Sequence, residues 1–121
     1  MHDFRFERSF RLLRRGDYDR VFHRPVRAGS AALLVLGSRN GLDTARLGLI
    51  VPKKALRRAV QRNRVKRIIR ETFRNTRPEL PAMDVIVIAR SQCGSLSNRE
   101  LSRTLVRLWL QISSRLPNPQ S

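Results

Sequence analysis

The residues of this chain best suited to chemistry are cations, set so closely that a phosphate array is their natural ligand. Nine Lys or Arg residues and no acid occupy positions 53 to 70: Lys53, Lys54, Arg57, Arg58, Arg62, Arg64, Lys66, Arg67 and Arg70. The densest part reads Arg62-Asn63-Arg64-Val65-Lys66-Arg67-Ile68-Ile69-Arg70. An arginine holds two phosphate oxygens, or a phosphate and a guanine edge, in a planar fork, whereas a lysine delivers a compact charge. The Asn63 amide offers a donor and an acceptor, suited to a nucleotide edge or a 2′-hydroxyl. An ordinary polar residue on a solvated turn is the other reading of Asn63, and the sequence leaves both open.

For the run as a whole the two readings are not equal. Like charges four apart on a helix cost about 0.2–0.5 kcal/mol per pair. Arg62, Lys66, Arg70 and Arg74 make a consecutive series of such pairs, with Glu71 offering little relief. A ridge kept at that cost implies an anionic partner rather than a merely solubilising face. Lys53, Lys54, Arg57 and Arg58 extend the positive area to the helix N-terminus, where unpaired backbone N–H groups add to phosphate binding.

A second candidate site precedes the first. Tyr18 and Phe22 lie four residues apart, with Phe10 upstream and Arg11, Arg14, Arg15 and Arg20 interspersed. Aromatic rings among cations can stack unpaired bases while the charges follow the backbone. Spacing alone favours the plainer outcome, an aromatic pair on the side of a helix that packs onto a sheet.

Bond-making chemistry finds no such support. The nearest acids, Asp17 and Asp19, are two apart on an expected helix and do not share a face. His2, His23 and Cys93 lack the number and spacing of a zinc site. No P-loop pattern occurs. Cys93, the single cysteine, reads as a small semi-buried residue rather than a nucleophile.

The elements that must position these residues follow from hydrophobic period. Residues 14–23 suit a short helix, with Tyr18, Val21 and Phe22 at i, i+3 and i+4, and Pro25 closing it. From Val26 the pattern turns to strands: 31–38, then 46–51, with the turn signal Asn40-Gly41 between them, predict a hairpin. Gly48 inside the second strand marks a bulge, a close backbone approach, or simple tolerance. Residues 57–74 form the main helix, with Val65, Ile68, Ile69, Thr72 and Phe73 as its apolar stripe. The run Val85 to Ala89 fits a strand covered on both faces. Ser97 and Glu100 form a capping box for a last helix buried through Leu101, Leu105, Leu108, Trp109 and Ile112. The N-terminal residues to Arg11 read as extended, with a short strand-like portion. The order helix, strand, strand, helix, strand, helix predicts an α/β sandwich: a small mixed sheet packed with helices.

At 121 residues the chain is one domain's worth, expected to be a single RNA-binding domain over 1–121 with flexible ends at about 1–7 and 115–121. A net charge of +17 favours polyanions, of which RNA and DNA are the abundant cytoplasmic examples. The longest uncharged stretch, 28–38, falls well short of the ~20 apolar residues of a membrane span. The N-terminus has no apolar core of a secretory signal. A cytoplasmic protein, monomeric in isolation, is expected.

Three ordered motifs resemble a known family. Lys53-Lys54 after a short apolar strand, followed by Ala59-Val60-Gln61-Arg62-Asn63-Arg64-Val65-Lys66-Arg67-Ile68-Ile69-Arg70-Glu71, is similar to the signature of the bacterial ribonuclease P protein component. Arg11-Leu12-Leu13 with Asp17-Tyr18 and Val21-Phe22 resembles that family's first-helix segment, and the stretch from Asp84 to Arg90 its later strand. The resemblance spans about residues 8–112. The chain departs from many members at Ala55-Leu56-Arg57-Arg58, which lacks a glycine, and at Tyr18, where phenylalanine is commoner.

The resemblance implies the protein subunit of a ribozyme that removes the 5′ leader from precursor transfer RNA. The RNA would supply the active site and bind most of the Mg2+, and the protein alone would be noncatalytic. It also implies a ribosomal protein S5 domain 2-like fold with a left-handed βαβ crossover. By this carry-over, Arg62, Asn63, Arg64, Lys66, Arg67 and Arg70 contact the catalytic RNA, and Lys53, Lys54, Arg57 and Arg58 are expected to extend that RNA-binding surface. Phe10, Arg14, Tyr18 and Phe22 belong to a central cleft that takes the leader, which tips Tyr18 and Phe22 toward stacking. The rival expectations are a structural RNA-binding protein of the ribosomal kind and, behind it, a DNA-binding module.

Overall fold

The computed structural model describes residues 10–12 and 14–117. Its elements in chain order are α1 (Arg15–His23), β1 (Val26–Gly29), β2 (Leu33–Arg39), β3 (Arg46–Ile50), α2 (Ala59–Thr76), β4 (Met83–Ala89) and α3 (Asn98–Arg115). The strands make one four-stranded mixed sheet in the order β1-β2-β4-β3. Helix α1 covers one face through Val21, Leu36 and Ile86. Helices α2 and α3 cover the other through Val65, Ile69, Phe73, Leu105, Trp109 and Ile112. The expected sandwich is present, with the α2 and α3 stripes buried where the periodicity put them, whereas in the α1 stripe only Val21 is fully buried.

Strand β4 organises the sheet. Its run Met83-Asp84-Val85-Ile86-Val87-Ile88-Ala89 alternates Val85 and Val87 toward α2 and α3 with Ile86 and Ile88 toward α1. A strand apolar on both faces needs cover on both, so it sits in the interior of the sheet. It pairs antiparallel with β2 over Leu33–Arg39 and parallel with β3 over Arg46–Ile50. Helix α2 bridges the parallel pair, making β3-α2-β4 a βαβ unit.

The hairpin expected between 31–38 and 46–51 therefore does not form: β4 lies between the two strands. The turn chemistry at Asn40-Gly41 is real but serves another connection. Gly41 adopts φ +69°, and the Asn40 side chain accepts from Leu42 N–H and donates to Thr44 O and Asp84 Oδ1. The loop is thus fastened to β4, past which it carries the chain. The hairpin that does form joins β1 to β2, a strand the pattern had not separated. Ser30 closes it, its Oγ accepting from Ala32 N–H and Leu33 N–H at 3.2 Å.

On the larger core face the Phe73 and Trp109 rings meet edge-to-face at 5.4 Å, and Trp109 Nε1 donates to Thr72 Oγ1. Cys93 is fully rather than partly buried, and burial pushes its thiol pKa up, as suits an inert core residue. At the ends of the domain, Arg11 bridges Leu47 in parallel, the strand-like contact expected of the N-terminal stretch. Residues 1–9 and 118–121, which include most of the ends expected to be flexible, lie outside the described residues. Arg115 still belongs to α3, and Leu116 is buried.

The capping box at the start of α3 is complete: Ser97 Oγ accepts from Glu100 N–H and Glu100 Oε1 accepts from Ser97 N–H. The Ser97 N–H holds the Glu100 carboxyl below the usual carboxylate range. A carboxylate with a depressed folded-state pKa stabilises the fold above its unfolded value and loses that contribution as pH falls through the folded value. The difference in unfolding midpoint between the protein and Glu100→Ala should accordingly be present at neutral pH and shrink under acid, as measured by thermal melts across a pH series.

Candidate nucleic-acid interface

Helix α2 carries its cations between two concavities, each with a different lining. On one side, Lys66 and Arg70 join Tyr18 of α1, Leu47 and Leu49 of β3, and Arg11 and Leu12 around a cleft of about 240 Å3. On the other, Asn63, Arg64 and Arg67 join Val60 and Gln61 around a shallower depression of about 430 Å3. The run that looks continuous in sequence is divided by the helical turn.

The first cleft exists because β3 is an edge strand. Helix α1 reaches it from one face of the sheet and α2 from the other, while Leu12 N–H donates to Leu47 O along the edge. Tyr18 is half-buried, and its phenol lies against Gly48. A Cβ at position 48 would stand 2.8 Å from Tyr18 Cζ and Oη, closer than carbon atoms tolerate. The register with β4 is unbroken from Arg46 to Ile50, so among the readings of Gly48 it is the close approach that holds. Burial and the neighbouring Arg11 charge both lower the Arg70 pKa.

The floor of α1 is set by an ionic network that sequence reasoning did not find. Arg46 of β3 donates from Nε to Asp84 Oδ1 at 2.8 Å and from Nη2 to Asp84 Oδ2 at 2.7 Å. Its Nη2 also reaches Asp17 Oδ1 of α1 at 3.5 Å, and Arg20 donates to the same oxygen at 3.0 Å. The hydrogen bond to Asp84 is the chief cause of the raised Arg46 pKa. A signal was available: Asp84 interrupts an apolar strand, and a buried carboxylate needs a cationic or hydrogen-bonding partner.

The remaining cations serve in distinct ways. Pro52 O accepts from Ala55 N–H and Leu56 N–H, turning the chain so that Lys53, Lys54, Arg57 and Arg58 are exposed before α2. Arg62 is partly committed inward: its Nη1 donates to Leu56 O and Arg57 O, tying this turn to the helix. Among the described residues no ion pair involves Lys53, Lys54, Arg57, Arg58, Arg62, Arg64, Lys66, Arg67 or Arg70. Their charge is available to a partner.

Of the aromatic positions, the cleft gathers Tyr18 alone. Phe22 is 44% exposed and does not line the cleft, because Val21 takes the inward position at the end of α1. Phe10 packs against the larger core with the Arg77 guanidinium 3.7 Å above its ring centre. Arg14 is exposed at the N-cap of α1, also outside the cleft lining. Among the described residues, no group of three or more His, Cys, Asp or Glu side chains converges as a metal site would. No described helix is long and apolar enough to cross a membrane.

Comparison with known proteins agrees with this fold. The family model described as Ribonuclease P matches residues 6–113. The chain is 47% identical over 104 residues to the ribonuclease P protein component of Salmonella arizonae, covering 86% of this chain and 87% of that protein. It is 46% identical over 108 residues to that of Aliivibrio fischeri, covering 89% and 92%. Among solved structures, the Staphylococcus aureus RNase P protein superposes with a TM-score of 0.79 at 30% identity, covering 90% of this chain and 98% of that one. The Thermotoga maritima protein gives 0.70 at 28% identity, covering 89% and 98%.

The seat of Tyr18 on Gly48 can be tested by stability alone. Gly48→Ala should destabilise the domain by about 1–3 kcal/mol through overpacking, read from urea unfolding. Most of that loss should vanish in a Tyr18→Ala background, where the added methyl meets no ring. Equal losses in both backgrounds would mean that the ring does not rest on Gly48.

Proposed function

The chain belongs to the ribonuclease P protein family, and from that premise we propose that it partners the catalytic RNA and carries the 5′ leader of precursor transfer RNA in the Tyr18 cleft. The observation that carries this reading is the composition of that cleft: one aromatic ring, Lys66 and Arg70 without ion-pair partners among the described residues, and an edge strand beneath them. An unpaired strand needs a surface that stacks bases irrespective of sequence and follows phosphates with charge. Tyr18 supplies the stacking face, and its hydroxyl adds a hydrogen-bonding handle.

The opposite flank, with Asn63, Arg64 and Arg67, and the turn with Lys53, Lys54, Arg57 and Arg58, would hold the folded catalytic RNA. The position of α2 between the two concavities makes one helix the divider between two RNA strands. In this reading Lys66 and Arg70, which the family resemblance assigns to the catalytic RNA, serve the leader.

The protein acts by binding and orienting, and phosphodiester hydrolysis belongs to the RNA. The two buried carboxylates among the described residues, Asp17 and Asp84, are both engaged by Arg46, so neither is poised to ligate magnesium. The ions would be held mainly by RNA, where they activate the attacking water. The holoenzyme would work in the cytoplasm. A ribosomal type of RNA-binding protein or a DNA-binding module would share the charge without requiring a cleft for an unpaired leader.

Reconstitution tests the reading. The purified protein should leave precursor transfer RNA intact, yet accelerate cleavage by the partner RNA at low magnesium. Tyr18→Ala should weaken binding of leader-bearing substrate by about 1–3 kcal/mol, the value of one stacked base, and spare leaderless substrate. Metal-dependent cutting by the protein alone, abolished by replacing one of its acids, would contradict the assignment. So would unchanged discrimination by a stably folded Tyr18→Ala protein.

A further inference from the structure

Arg64 is held by a different kind of acceptor from Arg46 and Arg20. Arg46 and Arg20 are fixed by carboxylates, which cancel much of their charge. Arg64 is fixed by two amide oxygens: its Nε donates to Gln61 Oε1 at 3.0 Å and its Nη1 to Asn98 Oδ1 at 2.7 Å. Gln61 lies one turn back on α2, whereas Asn98 is the first residue of α3, 34 positions away in sequence. The capping box of Ser97 and Glu100 pins the backbone on either side of Asn98, so its side chain projects from a fixed point.

A guanidinium clamped by neutral acceptors is oriented without being neutralised. Arginine side chains lose considerable rotamer freedom on binding, and one ordered in advance loses less. The Nη2 hydrogens remain for a phosphate, beside Asn63 and Arg67 in the same depression. A carboxylate in place of either amide would hold Arg64 as well and spoil it as a phosphate ligand. We propose that Asn98 is a positioning residue of the RNA interface, presenting Arg64 at full charge to a backbone phosphate of the catalytic RNA. The inference rests on the reading that this flank of α2 binds that RNA, and it adds a residue from outside the basic run.

The test is equilibrium binding of the full-length protein to the ribonuclease P RNA over a salt series, with thermal melts of every variant. Asn98→Ala should weaken binding about three- to tenfold, the worth of one hydrogen bond, and leave the slope of log affinity against log salt unchanged because no charge is lost. Arg64→Ala should lower the magnitude of that slope by about 0.7–0.9, one phosphate contact. In the Arg64→Ala background, Asn98→Ala should have no further effect.

Asn98→Asp separates this role from a structural one. An acid in the first turn of α3 favours the helix dipole, so the melting temperature should hold or rise while RNA affinity and the salt slope both fall. The proposal is overturned if Asn98→Ala binds normally, or if its effect is the same with and without Arg64. It is also overturned if Asn98→Asp keeps the full slope. Normal affinity and slope for Arg64→Ala would instead defeat the RNA reading of this flank, and the proposal with it.

Discussion

Arg46 joins the carboxylates of Asp84 and Asp17, and through them the edge strand β3, the interior strand β4 and the helix α1. Breaking a buried pair by removing one partner typically costs about 3–5 kcal/mol, a large share of the stability of a domain this size. The network also has a geometric effect. Asp17 is the residue before Tyr18, so the ion pair that docks α1 also sets where the ring meets Gly48. The cleft is a consequence of that docking: α1 reaches β3 from one face, α2 from the other, and the sheet edge lies between them.

The same network governs how charge is distributed. Its carboxylates are used in the fold, on the face away from α2, and none of the cations proposed to meet RNA is paired with an acid among the described residues. Arg62 illustrates the intermediate case, giving one nitrogen to backbone carbonyls of the preceding turn. Arg64 is ordered by amides instead. The fold thus keeps rigid cations without neutralising them, which is what a phosphate-binding surface requires.

Much of this was legible in the sequence because it depends on local pattern. The α2 stripe from Val65 to Phe73, the α3 stripe from Leu101 to Ile112 and the Ser97–Glu100 capping box are periodic or short-range features, and all stand as read. Strand pairing was not legible. Asn40-Gly41 signals a turn but not which strands flank each other, and the doubly apolar β4 takes the place beside β2 that the turn suggested for β3. The site divides along the same line. The cations of α2 could be named from spacing, yet their partition between two concavities depends on where α1 docks. Phe22 and Phe10 looked like partners of Tyr18, but Val21 claims the inward position in α1 and Phe10 lies under Arg77. Asn98 and Arg46 could not be singled out, because their partners lie 34 and 38 residues away.

The central claim is that α2 separates two RNAs, the leader on the Tyr18 side and the catalytic RNA on the Arg64 side. Site-directed photocrosslinking tests it most directly, because Cys93 is buried and a single introduced cysteine can carry the probe. A benzophenone at Leu49→Cys, in the cleft, and another at Val60→Cys, 70% exposed on the opposite flank, sample the two sides separately. In the reconstituted holoenzyme with precursor transfer RNA, the probe at 49 should capture the leader and the probe at 60 the catalytic RNA. Capture of the same RNA from both positions, or the reverse assignment, would contradict the account.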